Sequence, residues 1–267
     1  MKTLIAGATT LLLLSLALLS HNGAAQTEKA PKGAKKDLGG PGGVIAVNGV
    51  RDENLPKPPD GPTPRMPDGK PDLSGVWLIG NYSFSNMGGP LPLQPWAKKL
   101  TEERRDVRGK DDPEAKCLPA GVPRITPYPM KLVQTPKLVV MLFEGNVHSY
   151  RQFFLDGRGH DPDLDPSWMG ESIAKWDADT LVVDTLNFND KTWLNGGGTP
   201  HTDKLHVIER YTRPDLGHLN VEITMDDPGT FTQPHTFKRQ HILSTTWEIH
   251  EYVCNEFNVD QDRLVGH

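Results

Sequence analysis

From Met130 onward, apolar and polar residues alternate in short runs, and turn signals separate the runs. Alternation of this kind marks half-buried strands. It predicts strands over 130–135, 137–144, 147–155, 171–176, 180–186, 204–212, 217–225, 237–243 and 247–254. The stretch Asp72-Leu-Ser-Gly-Val-Trp-Leu-Ile-Gly80 predicts a first strand ahead of them. Turns such as Thr135-Pro136, Gly145-Asn146 and Asp177-Ala178-Asp179 are short, so successive strands form antiparallel hairpins. About ten strands in a meander with one helix predict an all-β barrel or, alternatively, a β-sandwich. A closed, lipocalin-like antiparallel barrel is preferred because closure removes edge strands.

The one good helix pattern runs from Pro95 to Arg108, where Trp96, Leu100 and Val107 form a narrow apolar stripe. Pro95 suits a first turn and Gly109 an end. Glu102, Glu103, Arg104 and Arg105 read as its solvated face.

The N-terminal segments are of a different kind. Within residues 1–25, Lys2 is the only charge, Leu11 to Leu19 is apolar apart from Ser15, and Gly23 and Ala25 precede Gln26. This is the pattern of a secretory signal with a cleavage site after Ala25. Its apolar core is short of the ~20 residues that a span requires. Residues 26–71 are rich in Pro and Gly, with Gly39-Gly40-Pro41-Gly42-Gly43 and a Pro-dense run from Pro56 to Pro71. Such a stretch forms no helix or central strand and reads as a tether. A single β-rich domain over 72–267 follows.

Composition narrows the partners. A net charge of −5 speaks against a nucleic-acid binder, which needs a basic face. No later stretch is apolar enough to span a membrane as a helix. Export changes the meaning of the two cysteines, Cys117 and Cys254, since an oxidising compartment favours a disulfide between them.

Several blocks carry a resemblance. They include Pro71-Asp-Leu-Ser-Gly-Val-Trp77, Cys117-Leu-Pro-Ala-Gly-Val-Pro-Arg124, Arg151-Gln-Phe-Phe-Leu-Asp-Gly157, Trp168-Met-Gly170 and Pro200-His-Thr-Asp-Lys-Leu-His-Val-Ile-Glu-Arg210. In these blocks the chain resembles a family of exported, functionally uncharacterised bacterial proteins. The resemblance covers nearly all of the chain after the signal. It implies one β-rich unit and no particular activity. That family has an aromatic residue where His235 stands, which lowers His235 as a site candidate.

Polar residues on an apolar strand phase are the next signal. Arg151 shares a phase with Phe153 and Leu155, Asp184 with Val182 and Leu186, Glu209 with Val207 and Tyr211, and Glu251 with Trp247, Ile249 and Val253. A buried charge needs a partner. These groups form either a structural network around Arg151 or the polar lining of a ligand cavity. On the second reading Arg151, Asp184, Glu251, Trp193 and Tyr211 bind the ligand.

Histidines supply a second constellation. His201 and His206 flank a loop-to-strand junction that follows Asn195-Gly-Gly-Gly198, with Asp190 and Trp193 just ahead. A histidine beside a carboxylate does general acid/base work near neutral pH. Here His201 or His206 is paired with Asp190 or Glu209. The plain alternative for His201 is a loop histidine held by backbone groups. No H-E-x-x-H or H-x-H motif is present, and His218, His241 and His250 lie on separate predicted strands. Asp161-Pro-Asp163-Leu-Asp165 opens like a calcium loop, but Pro166 and Ser172 stand where an EF-hand needs Gly and Glu. No G-x-S-x-G elbow is present.

The sequence thus predicts an exported barrel that binds a small, partly apolar organic molecule, with no cofactor or metal. The alternative is an acid/base enzyme of the lyase, isomerase or hydrolase kind working at the barrel mouth. A structural module of the envelope is a third class.

Overall fold

The computed structural model describes residues 57–80, 87–145, 147 and 149–254. The signal segment and most of the tether lie outside the described residues. The strands are β1 (Gly75–Ile79), β2 (Met130–Gln134), β3 (Leu138–Phe143), β4 (Tyr150–Phe154), β5 (Glu171–Asp177), β6 (Thr180–Leu186), β7 (His206–Thr212), β8 (His218–Asp226) and β9 (His235–Ser244). They join in chain order into a closed barrel, with β9 returning to β1.

Two expectations are corrected. The ladder between β4 and β5 is parallel, so the barrel is mixed rather than wholly antiparallel. The connection from Leu155 to Gly170 is long enough to return the chain to the strand's starting end, which a tight hairpin cannot do. Residues 247–254 are not a strand. That segment is held by side chains instead: the Trp247 indole N–H and the His250 N–H both donate to Glu144 Oε2 (2.9 and 3.2 Å). Cys254 is bonded to Cys117. The disulfide joins positions 137 apart, a closure that stabilises by about 3–5 kcal/mol on the chain-entropy model.

Inward residues follow the alternation. Trp77, Met141, Phe153, Leu181, Val207 and Ile223 are fully buried and belong to one cluster that draws on eight strands, with the partly buried Ala174 and Trp176 of β5 packed against it. Burial of apolar surface is what closes the sheet on itself.

One helix, α1 (Pro95–Asp106), packs outside the barrel. Its buried face is Ala97 and Thr101, whereas Trp96 and Val107 of the expected stripe are exposed. Trp96 instead donates its indole N–H to Gly229 O (2.7 Å). Arg104 and Arg105 are not a free solvated face: they donate to Gly198 O (2.9 Å) and Gly197 O (3.3 Å). The end of the expected tether, from residue 57, lies along the barrel. There Thr63 Oγ1 donates to Arg213 O (2.8 Å) and Arg65 pairs with Asp179 (2.7 Å).

His241 on β9 is buried at the β1–β9 closure beside Arg239. Its Nε2–H donates to Thr126 O (3.1 Å). Burial above all, with help from the Arg239 charge, lowers its pKa to about 4. The unfolded chain takes up this proton near pH 6.5, while the folded chain refuses it until about pH 4. Stability is therefore full above pH 6.5 and falls as pH drops toward 4. Urea unfolding at pH 7.5 and pH 5 should show a loss of about 2 kcal/mol from this residue. His241→Gln, which keeps a donor for Thr126, should lose that part of the pH dependence.

Candidate functional site

The four in-phase charges separate into three places. Arg151 (β4) and Glu209 (β7) point inward and are buried, as their strand phases predict. Asp184 faces outward, opposite to the expected phase. Both phases of β6 are apolar, with Leu181 and Val183 on one and Val182 and Leu186 on the other, so the pattern there could not choose. Glu251 is exposed and lies outside any strand, so it shares no phase with the interior.

Inside the barrel, Arg151 and Glu209 form a bidentate pair. Arg151 Nη1 donates to Oε1 (3.0 Å) and Nη2 to Oε2 (2.5 Å). Nη2 also reaches Ser172 Oγ on β5 (3.3 Å) and Thr185 Oγ1 on β6 (3.2 Å), and these hydroxyls lie 2.9 Å apart. The Tyr211 hydroxyl donates to Glu209 Oε1 (2.8 Å). Arg151 also stacks on Phe153, its guanidinium carbon 4.7 Å from the ring centre. Burial works against the Arg151 charge, but Glu209 outweighs it and raises the pKa further. Burial, then Glu209, pushes the Tyr211 hydroxyl well above its ordinary range. Arg151 and Tyr211 thus keep their protons near neutral pH, and the geometry is that of a fixed pin.

The expected histidine site divides as well. His201 is buried; Nδ1–H donates to Thr202 O (2.9 Å), and Nε2 accepts from the Thr192 hydroxyl (2.6 Å). Burial lowers its pKa, so the ring is neutral near pH 7. Asp190 is exposed and acts on it only through charge. Trp193 is buried with Arg104 (4.6 Å) and Arg124 (5.7 Å) over its ring. The glycine loop beside it is tied down, since Asn195 Oδ1 accepts from Gly197 N (2.9 Å) and Thr199 N (3.3 Å).

His206 faces outward and meets Asp184, not Glu209. His206 Nε2 is 2.8 Å from Asp184 Oδ1. His160, which the sequence pattern did not single out, lies 3.3 Å from the same oxygen through Nε2. Its Nδ1 is 3.0 Å from Glu171 Oε2. Among the described residues, no group of three or more His, Cys, Asp or Glu is arranged to hold a metal ion. The acids at 161, 163 and 165 are exposed, and Asp161 Oδ1 accepts from Asp163 N (3.0 Å).

A cleft of about 590 Å³ opens at the β4–β5 seam. Its walls carry Tyr150, Phe154, Leu164, Trp168 and Met169, with Gln152, Arg158, Asp161 and Glu171 among them. Arg151 and Ser172 belong to its lining, so the buried pin lies directly behind it. Tyr150 is 56% exposed and Leu164 45% exposed, although both are apolar at the wall. Arg158 stacks 4.0 Å over Phe154 and is held by Asp156. The size falls within the ~300–1,000 Å³ of small-molecule sites. Sequence reading missed this cleft, because a parallel ladder after a long loop leaves no periodic signal. The available hint was the apolar pair Trp168-Met169 and Leu164 within an otherwise polar connection.

Removing Arg151 alone should leave Glu209 buried and unpaired. Arg151→Leu should therefore cost about 3–5 kcal/mol in urea unfolding. Arg151→Leu with Glu209→Leu should recover at least half of that loss, since the double change removes both charges. Equal losses in single and double variants would show that the pair is not the pin described.

No protein-family model matches the chain, and no curated protein or solved structure matches it either, so the geometry of the described residues carries the functional reading.

Proposed function

We propose that the protein binds a small, partly apolar organic molecule in the cleft at the β4–β5 seam, and that it does so outside the cytoplasm. The observation that carries the reading is the composition of the cleft. Exposed apolar side chains, Tyr150 and Leu164 with Trp168 and Met169, surround a few polar groups at a site of ligand size. Exposed apolar surface costs solvation unless it is used, and a few convergent polar groups fix a ligand's orientation. The Cys117–Cys254 disulfide and the signal-like N-terminus support an oxidising compartment. No helix among the described residues is long and apolar enough to cross a membrane.

A second reading, acid/base catalysis, has one observation in its favour. Glu171 lines the cleft and touches His160, which shares Asp184 with His206. On this reading the contacts from Glu171 through His160 and Asp184 to His206 would carry a proton from the cleft to the outer surface. Breaking these contacts with His160→Gln should leave binding of a ligand intact on the first reading. On the second it should abolish turnover of the bound molecule.

The amphiphilic dye 1-anilinonaphthalene-8-sulfonate tests the binding reading directly. Its fluorescence should rise with the folded protein at a single site. Tyr150→Asp with Leu164→Asp, both at exposed positions, should weaken the dye at least tenfold without moving the urea midpoint. Unchanged dye binding in that variant would remove the cleft as the site.

A further inference from the structure

The β4–β5 seam is the shortest ladder of the barrel. Leu155 N donates to Lys137 O (2.9 Å) and Phe143 N donates to Ser149 O (3.3 Å). In an antiparallel pair the main-chain groups of alternate residues face opposite neighbours. The odd positions of β4 therefore face β3, and Tyr150, Gln152 and Phe154 turn their main-chain groups to the seam. The parallel register across the seam pairs only Phe153 with Ser172 and Phe154 with Ile173. That register engages Phe154 and the Gln152 carbonyl. It leaves the Tyr150 N–H and C=O and the Gln152 N–H without a ladder partner from β5.

The opposite wall explains the gap. Ser167 N donates to Asn187 O (3.0 Å), and Asn189 N donates to Ser167 O (2.8 Å). The chain before β5 is thus drawn toward the end of β6 and away from β4. Gly170 then turns it into β5 with φ +68°. A Cβ there would sit 2.6 Å from Leu186 O, so the close approach to β6 requires glycine. Two diverging walls result, one of them bearing main-chain donors and an acceptor that β5 does not engage, and the cleft fills the space between them.

We infer that the ligand of this cleft is an extended peptide segment that adds a short strand along β4 at Tyr150–Gln152. The inference rests on the cleft being a binding site and names its ligand class. Main-chain groups repeating along a strand edge are complementary to another extended chain, the mode of strand addition. A compact ring-shaped molecule satisfies one such group but not the series. The side chains beside the edge suit an alternating partner. Tyr150 and Phe154 stand on the outer face with Leu164 nearby, so alternate apolar residues of the peptide meet apolar surface there. Elsewhere each described strand has neighbours on both sides in the closed sheet. At this seam a stretch of strand edge stands beside a cleft.

The test uses the folded full chain and a pool of terminally blocked pentapeptides with apolar residues at alternate positions. Binding is read from amide NMR shifts, with the anilinonaphthalene dye as a competitor. The expected result is that peptides displace the dye, shift the Tyr150 and Gln152 amides, and slow their hydrogen exchange at least tenfold. The same pool with its main-chain nitrogens methylated should bind at least tenfold more weakly. Gln152→Pro removes an N–H that faces the seam but none that faces β3, and should weaken the peptides tenfold. Gln152→Ala removes the side chain but keeps the N–H, and should weaken the peptides much less than Gln152→Pro does. If the dye binds in the cleft but peptides do not, or if methylation makes no difference, the peptide inference is overturned and the cleft reading stands. If neither dye nor peptide binds, both fall.

Discussion

The guanidinium of Arg151 on β4 touches side chains from β5, β6 and β7, and closure of the barrel at its shortest ladder rests on those contacts. Two residue pairs are few for a seam that must hold a closed sheet together. The hydroxyls of Ser172 and Thr185 and the carboxylate of Glu209 supply, from inside, the connections that the ladder lacks. A charged group is suited to this task because its hydrogen bonds are stronger and more directional than apolar contacts. The desolvation of two charges is steep, and it is offset by the bidentate pairing, by the two hydroxyls at Arg151 Nη2 and by the Tyr211 hydroxyl, which fills a further lone pair of Glu209.

Why the seam is weak follows from chain direction. A parallel neighbour needs a connection that returns the chain to the same end, and residues 155–170 do this on the outer surface. That connection brings Leu164, Trp168 and Met169 to the outside of β4 and must also hand the chain to β5. Its anchor on Asn187 and Asn189 fixes where it can go, and the separation from β4 is the consequence. The cleft is thus the geometric remainder of a parallel step in an antiparallel barrel. The same step explains why the lining mixes apolar residues with main-chain groups.

Much of this was legible from alternation. Eight of the strand runs after residue 130 coincide with observed strands, and the inward phases of β4 and β7 already put Arg151 with Phe153 and Glu209 with Tyr211. Where both phases of a strand are apolar, as at Leu181 to Leu186, the pattern has no preference, and Asp184 was set on the wrong side. The run at 247–254 alternates as a strand does, yet the sheet is already closed by β1 and β9, so no place for it remains. Its apolar phase is served by a side-chain anchor at Glu144 and by the disulfide. The helix misled for a related reason. Trp96 is large and apolar, but its indole N–H needs an acceptor and finds one at Gly229, which leaves small Ala97 and Thr101 to make the close approach.

The placement of the cleft relative to the pin has a further consequence. Arg151 lies at the boundary between a filled interior and the seam, so the interior is committed to packing and the open space lies at the seam. A ligand cavity inside the barrel, as in lipocalin-like proteins, requires the inward side chains to be small or to stand apart. Here Trp77, Met141, Phe153 and Tyr211 occupy that space. The charges that mark the interior in the sequence are therefore structural in their own right. They hold the seam shut near Phe153 and Phe154, so that β4 can stand apart from β5 at Tyr150–Gln152 without unzipping the sheet.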